Sequence, residues 1–155
     1  MSSSIDERKI CEVVYRGCLA LDAEDFDGFM GFCSSQFKYR ITVYSPDLRK
    51  EMIWLSHDYV GIKAMLESVP QHFKRLGTLK RHVSVYLIEQ DAGAPVAKVT
   101  SSFLVTSTDP EGRSRLFCAG TYFDEVSIDG GVPMLTSRQA HLETRDLGIG
   151  THIPL

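Results

Sequence analysis

The sequence predicts an α+β domain in which three N-terminal helices pack on a strongly curved, mainly antiparallel sheet. Apolar residues recur at three- and four-residue steps over residues 6–21, which is typical of a helix with one buried face. They alternate with polar residues over residues 36–44, as in a strand. Four further strand-like runs follow residue 80. Helices on the concave face of such a sheet would give a cone with an interior pocket.

Each helix has a start signal and a buried face. Asp6 can cap the first helix, and a break at residues 22–24 separates it from a short second helix. Ser56 is the expected N-cap of the third helix, which Pro70 ends. The three buried faces comprise Ile10, Val13, Val14, Gly17, Cys18 and Leu21, then Phe26, Phe29, Met30 and Phe32, then Tyr59, Ile62, Met65, Leu66 and Val69.

The strands follow from period-two patterns and from the turns between them. The strand at 36–44 directs Phe37, Tyr39, Ile41 and Val43 to one side. A charged loop is expected from Ser45 to the sole tryptophan, Trp54, and a polar connector at 71–79. The later strands are predicted at 81–90, 95–107, 114–128 and 133–145. Short connectors rich in Asp, Gly and Pro join them, which predicts an antiparallel meander.

The strand at 114–128 carries apolar residues on both faces. Leu116, Cys118, Gly120 and Tyr122 lie on one face, and Phe117, Ala119 and Phe123 on the other. A half-exposed antiparallel strand should alternate cleanly between apolar and polar residues. Helices can cover only one face, so the second face is expected to meet another chain.

The last predicted strand supports the same conclusion. One face is largely polar with few lysines, which suits a hydrogen-bonded interface, and consists of Leu135, Ser137, Gln139, His141, Glu143 and Arg145. The alternative interpretation is that the strand end projects past the core. The candidate subunit-interface residues are Trp54, Phe117, Phe123, Gln139, His141, Glu143 and Arg145.

Composition limits the classes of protein that fit. The 155 residues predict one domain spanning residues 1–155, and a formal charge of -3 with interspersed cations does not suggest a nucleic-acid-binding surface. The sequence shows no signal peptide and no apolar run near the ~20 residues of a membrane span, so we expect a cytoplasmic protein. The four cysteines show no C-x-x-C spacing, and we expect them to be reduced and structural.

No arrangement of residues in the sequence predicts a catalytic or metal site in this chain. The five histidines do not follow H-x-x-x-H or C-x-H spacing, and glycine-rich phosphate loops are absent. His141 and Glu143 are expected to share one strand face, without an evident third ligand. One enzymatic alternative is a general base in the cone pocket, with Tyr15, Tyr39, His57 and Asp22 in its wall or mouth.

Several strings, in this order and spacing, resemble the β (small) subunits of aromatic-ring-hydroxylating dioxygenases. That family shares the cystatin-like cone fold of nuclear transport factor two and ketosteroid isomerase. The matching strings span residues 21–29, 37–41, 80–84, 100–105, 116–124 and 142–155. The loop between Pro46 and Trp54 does not match members that act on two-ring aromatics, and the chain looks closer to the shorter small subunits of one-ring acid oxygenases.

The resemblance implies a partner rather than an active site. It implies a structural subunit, without catalytic residues, cofactor or metal of its own. The large (α) subunit would carry the [2Fe-2S] Rieske cluster and the mononuclear Fe(II), and NAD(P)H would supply electrons through other proteins. Small subunits of this family commonly form a homotrimer within an α3β3 assembly. The alternatives are a stand-alone isomerase, dehydratase or small-ligand-binding protein, and a plain dimerising module.

Overall fold

The protein is described by a computed structural model that covers residues 6–68, 77–147 and 154–155. Within these residues no helix is long and apolar enough to cross a membrane. The helices and strands, in chain order, are α1 (Glu7–Asp22), α2 (Phe26–Gly31), β1 (Cys33–Ser45), β2 (Lys50–Asp58), α3 (Tyr59–Glu67), β3 (Thr78–Glu89), β4 (Val96–Thr108), β5 (Ser114–Ser127) and β6 (Met134–Leu142).

The strands form one sheet in the order β2-β1-β6-β5-β4-β3. The pairs β3–β4, β4–β5 and β5–β6 are antiparallel, which confirms the predicted meander. β1 lies parallel to β6 and antiparallel to β2, so the N-terminal hairpin joins the meander at its last strand. The helices cover one face of the sheet, and this arrangement confirms the predicted fold class.

All three helices begin at an aspartate whose carboxylate accepts a backbone N–H. Asp6 accepts from Lys9, Asp25 from Gly28, and Asp58 from Gly61. Such a bond satisfies one of the amide groups that the first helical turn leaves without a partner. The predicted cap at Ser56 was wrong, because β2 continues to Asp58. Val69, Pro70 and residues 71–76 of the predicted connector lie outside the described residues, and residues 78–79 of that connector belong to β3.

The predicted charged loop before Trp54 was also wrong, because β2 begins within it at Lys50. Residues 46–49 form the turn, in which Arg49 has a φ of +52°. β2 is an edge strand whose apolar residues, Met52 to Leu55, are half-buried or exposed and do not enter the core. Charged or polar residues flank this short run, and its backbone pairs with β1.

Four described strands carry a one-residue β-bulge that changes which side chains face the core: β2 at Trp54, β3 at Tyr86, β5 at Phe117 and β6 at Thr136. Phe117 is an extra residue opposite β4, so Leu116 turns outward and is 62% exposed, against the prediction that it shares the face of Cys118. Thr136 is an extra residue opposite β5, so Leu135 joins the core instead of the face of Gln139. Trp54 is the extra residue of β2 opposite β1. β6 ends at Leu142, so the expectation that Glu143 and Arg145 continue its polar face was wrong.

In the part of the chain that the structure describes, side chains occupy the cone interior where an open pocket was expected. Tyr39, Tyr122 and Arg138 point inward from neighbouring strands and are fully buried. Leu155 closes the same space: its backbone N–H donates to Tyr39 Oη over 2.9 Å, and its side chain has no exposed surface. The prediction that Phe37, Tyr39, Ile41 and Val43 share the buried side of β1 is confirmed.

Candidate functional site: the outer face of the sheet

The helices leave one face of the sheet uncovered, which we call the outer face. Its side chains lie in rows that cross all six strands, because paired residues on neighbouring strands point to the same side. The central row, from β3 to β2, consists of Leu87, Thr100, Phe123, Gln139, Arg40 and Ser56. The next row consists of Ser84, Ser102, Thr121, His141, Thr42 and Ile53.

A hydrogen-bond network holds the β6 side chains of the outer face in place. Gln139 Nε2 donates to Thr42 Oγ1 over 2.9 Å and to Glu51 Oε1 over 3.0 Å, while Arg40 Nη2 donates to Gln139 Oε1 over 3.0 Å. His141 Nδ1 lies 3.0 Å from Thr42 Oγ1 and 3.2 Å from Glu51 Oε1. Polar side chains fixed in one geometry lose little entropy on binding, so this network is preorganised for a partner.

An aromatic side chain stands beside the network. Phe123 is 46% exposed, and its ring centre lies 6.5 Å from that of His141. It projects at the rim of a groove of about 640 Å³ that crosses the outer face, with Arg40 and Lys98 among the cations that line it. An exposed aromatic residue next to arginine and hydrogen-bonding groups is the composition typical of protein–protein interfaces.

The structure brings only some of the predicted interface residues together. Phe123, Gln139 and His141 are neighbours on the outer face. Phe117 is half-buried in its bulge, and Trp54 is 43% exposed in another. Exposed residues at positions 143 and 145 follow β6, where the Glu143 N–H donates to the Ala119 carbonyl. The prediction missed Arg40, Thr42 and Glu51, because their roles depend on the pairing of β1 with β2 and β6.

A buried ion pair lies behind the outer face. Arg138 Nε and Nη2 donate to the two carboxylate oxygens of Asp124 over 2.9 and 3.0 Å, and both side chains are almost fully buried. The guanidinium also lies 4.0 Å from the centre of the Tyr122 ring, which stacks on Phe103. Burial raises the pKa of Asp124 and Arg138 opposes that shift. Burial likewise disfavours the charged Arg138, but Asp124 raises its pKa well above the ordinary value.

A second ion pair ties the helices to the sheet. Arg81 Nη1 donates to Asp22 Oδ1 over 2.8 Å at the end of α1, and Arg81 Nη2 donates to the Pro154 carbonyl. Four buried side-chain atoms in the described part of the chain have no hydrogen-bond partner: Arg81 Nε, Ser101 Oγ, Tyr122 Oη and Arg138 Nη1. These pairs escaped sequence analysis, although Asp124 and Arg138 occur in phase with buried apolar neighbours.

The residues proposed for the enzymatic alternative do not form one site. Tyr39 is buried against Leu155, Asp22 is paired with Arg81, and His57 lies in β2. The Tyr15 hydroxyl accepts the N–H of Val85. Among the residues that the structure describes, no group of three or more His, Cys, Asp or Glu is arranged to hold a metal ion.

The sequence is similar to that of known proteins over most of its length. A profile of the SnoaL-like domain family matches residues 2–139. The methanesulfonate monooxygenase hydroxylase subunit beta of Methylosulfonomonas methylovora is 31% identical over 150 residues, covering 92% of this chain and 83% of that protein. The 2-aminobenzenesulfonate 2,3-dioxygenase subunit beta of an Alcaligenes species is 30% identical over 151 residues, covering 97% and 100%.

Solved structures share the fold at lower sequence identity. A naphthalene 1,2-dioxygenase chain superposes with a TM-score of 0.76 at 14% identity, covering 99% of this chain and 89% of that one. The beta subunit of the benzoate 1,2-dioxygenase of Burkholderia mallei superposes with a TM-score of 0.72 at 15% identity, covering 98% and 99%. At these identities the superpositions establish the fold.

Proposed function

The chain belongs to the SnoaL-like domain family and, within it, to the small (β) subunits of aromatic-ring-hydroxylating oxygenases, and from this we propose its role. We propose that it is the structural subunit of the terminal component of a Rieske non-haem iron oxygenase. It would support assembly with the large subunit and contribute no catalytic residue. The observation that carries this proposal is the outer face, where a preorganised polar network adjoins an exposed Phe123.

We further propose the composition of the complex. The large (α) subunit holds the [2Fe-2S] Rieske cluster and the mononuclear Fe(II), and three copies of each chain form an α3β3 assembly in the cytoplasm. The support is that both relatives are named as beta subunits of oxygenases. The printed names of the two relatives also point to a substrate class, since both oxygenases are named for sulfonates. We propose an organosulfonate substrate for the complex, to be bound by the large subunit.

The residues proposed to contact a neighbouring subunit are three neighbours on the outer face and four further residues that the sequence predicted for the interface. The first set consists of Phe123, Gln139 and His141, and the second of Trp54, Phe117, Glu143 and Arg145. Gln139 and His141 are fixed by bonds to Thr42 and Glu51, so they present defined donors and acceptors. Phe123 supplies the apolar contact that usually dominates the binding energy of an interface.

Co-purification tests this proposal. The large oxygenase subunit encoded with this chain is tagged, co-expressed with it, and assayed for bound β chain and for oxygenation of an aryl sulfonate. Phe123→Glu is expected to reduce the bound chain by at least about tenfold, because a charge replaces an apolar contact. Leu19→Glu is the matched control, because Leu19 is 66% exposed on α1, away from the outer face. A large subunit that assembles and turns over fully without this chain contradicts the proposal.

A further inference from the structure

Two neighbouring residues, Pro154 and Leu155, connect strands that are far apart in the sheet, and we call this pair the clasp. The Pro154 carbonyl accepts a hydrogen bond from Arg81 Nη2 on β3, and the Leu155 N–H donates to Tyr39 Oη on β1 over 2.9 Å. Because β6, β5 and β4 lie between these strands, β1 and β3 would be about 19 Å apart in a flat sheet. The clasp therefore joins the two sides of the curved sheet across the cone interior.

Both groups that bind the clasp are buried in the cone. Tyr39 is 1% and Arg81 5% exposed, and the Leu155 side chain has no exposed surface. Arg81 also donates to Asp22 of α1, while its Nε atom has no hydrogen-bond partner among the described residues. A buried donor without an acceptor costs free energy, so the Arg81 guanidinium is not fully stabilised while the clasp is in place.

The clasp is held by few interactions. In the part of the chain that the structure describes, these are the two hydrogen bonds and the burial of its two side chains. The strands are held instead by backbone pairing along their length, and α1 is bound to β3 through Asp22. Withdrawing the clasp breaks none of these bonds. Local opening costs only the contacts that it breaks, so the clasp should open with a smaller free energy than the whole fold.

We infer that the clasp is releasable, so that the folded chain exchanges between a closed form and an open form. In the open form Pro154 and Leu155 leave the cone interior, while the helices and the sheet stay intact. Tyr39 and Arg81 then become accessible to small molecules from solution. The clasp thus acts as a strap that controls access to the interior. The two forms belong to the isolated chain, whatever subunit it assembles with.

Two buried thiols allow the open form to be detected. Cys118 lies on the inner side of β5, in the row that contains Val105 and Arg81, and has no exposed surface. Cys33 Sγ instead donates to the Phe29 carbonyl of α2. Burial raises the pKa of both thiols to about 12. A difference between their reaction rates therefore reports access of the reagent rather than acidity of the thiol.

Labelling of the two thiols tests the inference. The full-length chain, without the large subunit, is treated briefly with N-ethylmaleimide, and mass spectrometry of its peptides gives the reaction rate at each site. Cys118 should react at least about tenfold faster than Cys33, because only Cys118 is reached through the open form. The Cys118 rate should change little with urea below the unfolding midpoint, since local opening exposes little surface, whereas the Cys33 rate should rise steeply.

Two variants weaken the clasp to different extents. Tyr39→Phe removes only the acceptor of the Leu155 N–H and should raise the Cys118 rate at least about threefold. Leu155→Ala removes most of the buried side chain and should raise the Cys118 rate at least about tenfold. The Cys33 rate in each variant shows whether global stability has changed as well.

Tyr122→Phe is the matched control for Tyr39→Phe. The buried Tyr122 Oη has no hydrogen-bond partner among the described residues, so its removal should leave the Cys118 rate unchanged. A Cys118 rate no higher than that of Cys33 overturns the inference, as does a Cys118 rate that rises as steeply with urea. An effect of Tyr39→Phe no larger than that of Tyr122→Phe also overturns it.

Discussion

At the scale of single residues, the most consequential feature is the charge buried behind the outer face. Asp124 and Arg138 lie opposite each other on β5 and β6 and form two hydrogen bonds. Charges in a protein interior are tolerated only when paired, because each has lost its hydration. The pair therefore fixes the register of β5 against β6, the two strands that carry Phe123 and Gln139.

Removing one partner of this pair should destabilise the fold strongly. Arg138→Met leaves the Asp124 carboxylate buried without its cation, and the free energy of unfolding should fall by about 3–5 kcal/mol. Asp124→Leu should lower the free energy of unfolding by a similar amount, because it leaves the Arg138 guanidinium buried without its anion. The double variant should lower it by less than the sum of the two single losses, because no unpaired charge remains. Urea unfolding of all four proteins gives the coupling energy, and additive costs would contradict a direct pairing.

Buried thiols and a buried phenol make the protein sensitive to alkali. Burial raises the pKa of Cys33 and of Cys118 from 9.0 to about 12, and that of Tyr39 from 10.0 to about 12. Between pH 9 and 12 the unfolded chain has released protons that the folded chain retains. The free energy of unfolding should therefore be highest below pH 9 and fall as the pH rises.

Urea midpoints between pH 7 and 11 check this dependence. Replacing Cys33 and Cys118 by alanine should make the decline with pH shallower, whatever the cavities cost in absolute stability. An unchanged slope in that variant would show that the thiols do not contribute. The folded parent protein should also react slowly with thiol reagents at positions 33 and 118, because thiolate formation is suppressed there.

At the scale of elements, the close approach of β5 to β6 depends on Gly120. A Cβ atom at this position would meet the His141 carbonyl oxygen, which is backbone and cannot turn aside. The pairing of Thr121 with His141 and of Phe123 with Gln139 continues from this contact. The outer face thus depends on a residue without a side chain.

Gly120→Ala should lower the free energy of unfolding by about 2 kcal/mol or more, because the added methyl forces the two strands apart. Gly31→Ala is the matched control, since nothing lies within 4 Å of its added Cβ atom at the end of α2. That variant should be neutral or slightly stabilising. Thermal unfolding of both variants measures the two changes in stability. Equal losses of stability would show that the backbone of β6 does not lie close to Gly120.

At the scale of the whole molecule, two layers separate two roles. On the inner side, Arg81 pairs with Asp22 of α1 and the Leu155 N–H donates to Tyr39, while the opposite face carries the hydrogen-bond network of Gln139. The exposed recognition groups described above therefore lie on the outer face, where the proposed scaffold role needs them.

The whole-molecule prediction concerns iron. Purified without its partner, the chain should contain no stoichiometric iron and should not oxygenate an aryl sulfonate with or without added Fe(II). The co-expressed complex should contain iron and acid-labile sulfide and should be active. Metal analysis by mass spectrometry and oxygen uptake provide the two readouts. Stoichiometric iron in the isolated chain would contradict the assignment of the cofactors to the large subunit.

The elements with strong periodicity could be predicted from the sequence. The stripe of α1, the alternation of β1 and the turn-flanked meander follow from local patterns, and all are confirmed. The candidate site was partly predictable, since Phe123 interrupts the usual alternation and Gln139 and His141 lie on the polar face of the last strand. Local patterns did not identify β2, because its apolar run Met52 to Leu55 is short, does not alternate with polar residues and follows a charged segment. They could not place Leu116 or Leu135 either, because a bulge reverses the faces beyond it.

By itself the sequence determined the fold class, the order of the meander and the family, since these follow from periodicity, turn chemistry and shared strings. Only the tertiary structure decided which residues share a surface. The parallel pairing of β1 with β6 brings Arg40 and Thr42 beside Gln139 and His141, about a hundred residues away in the chain. The burial of Asp124 with Arg138 was also a tertiary outcome, because each charge is tolerated only in the presence of the other.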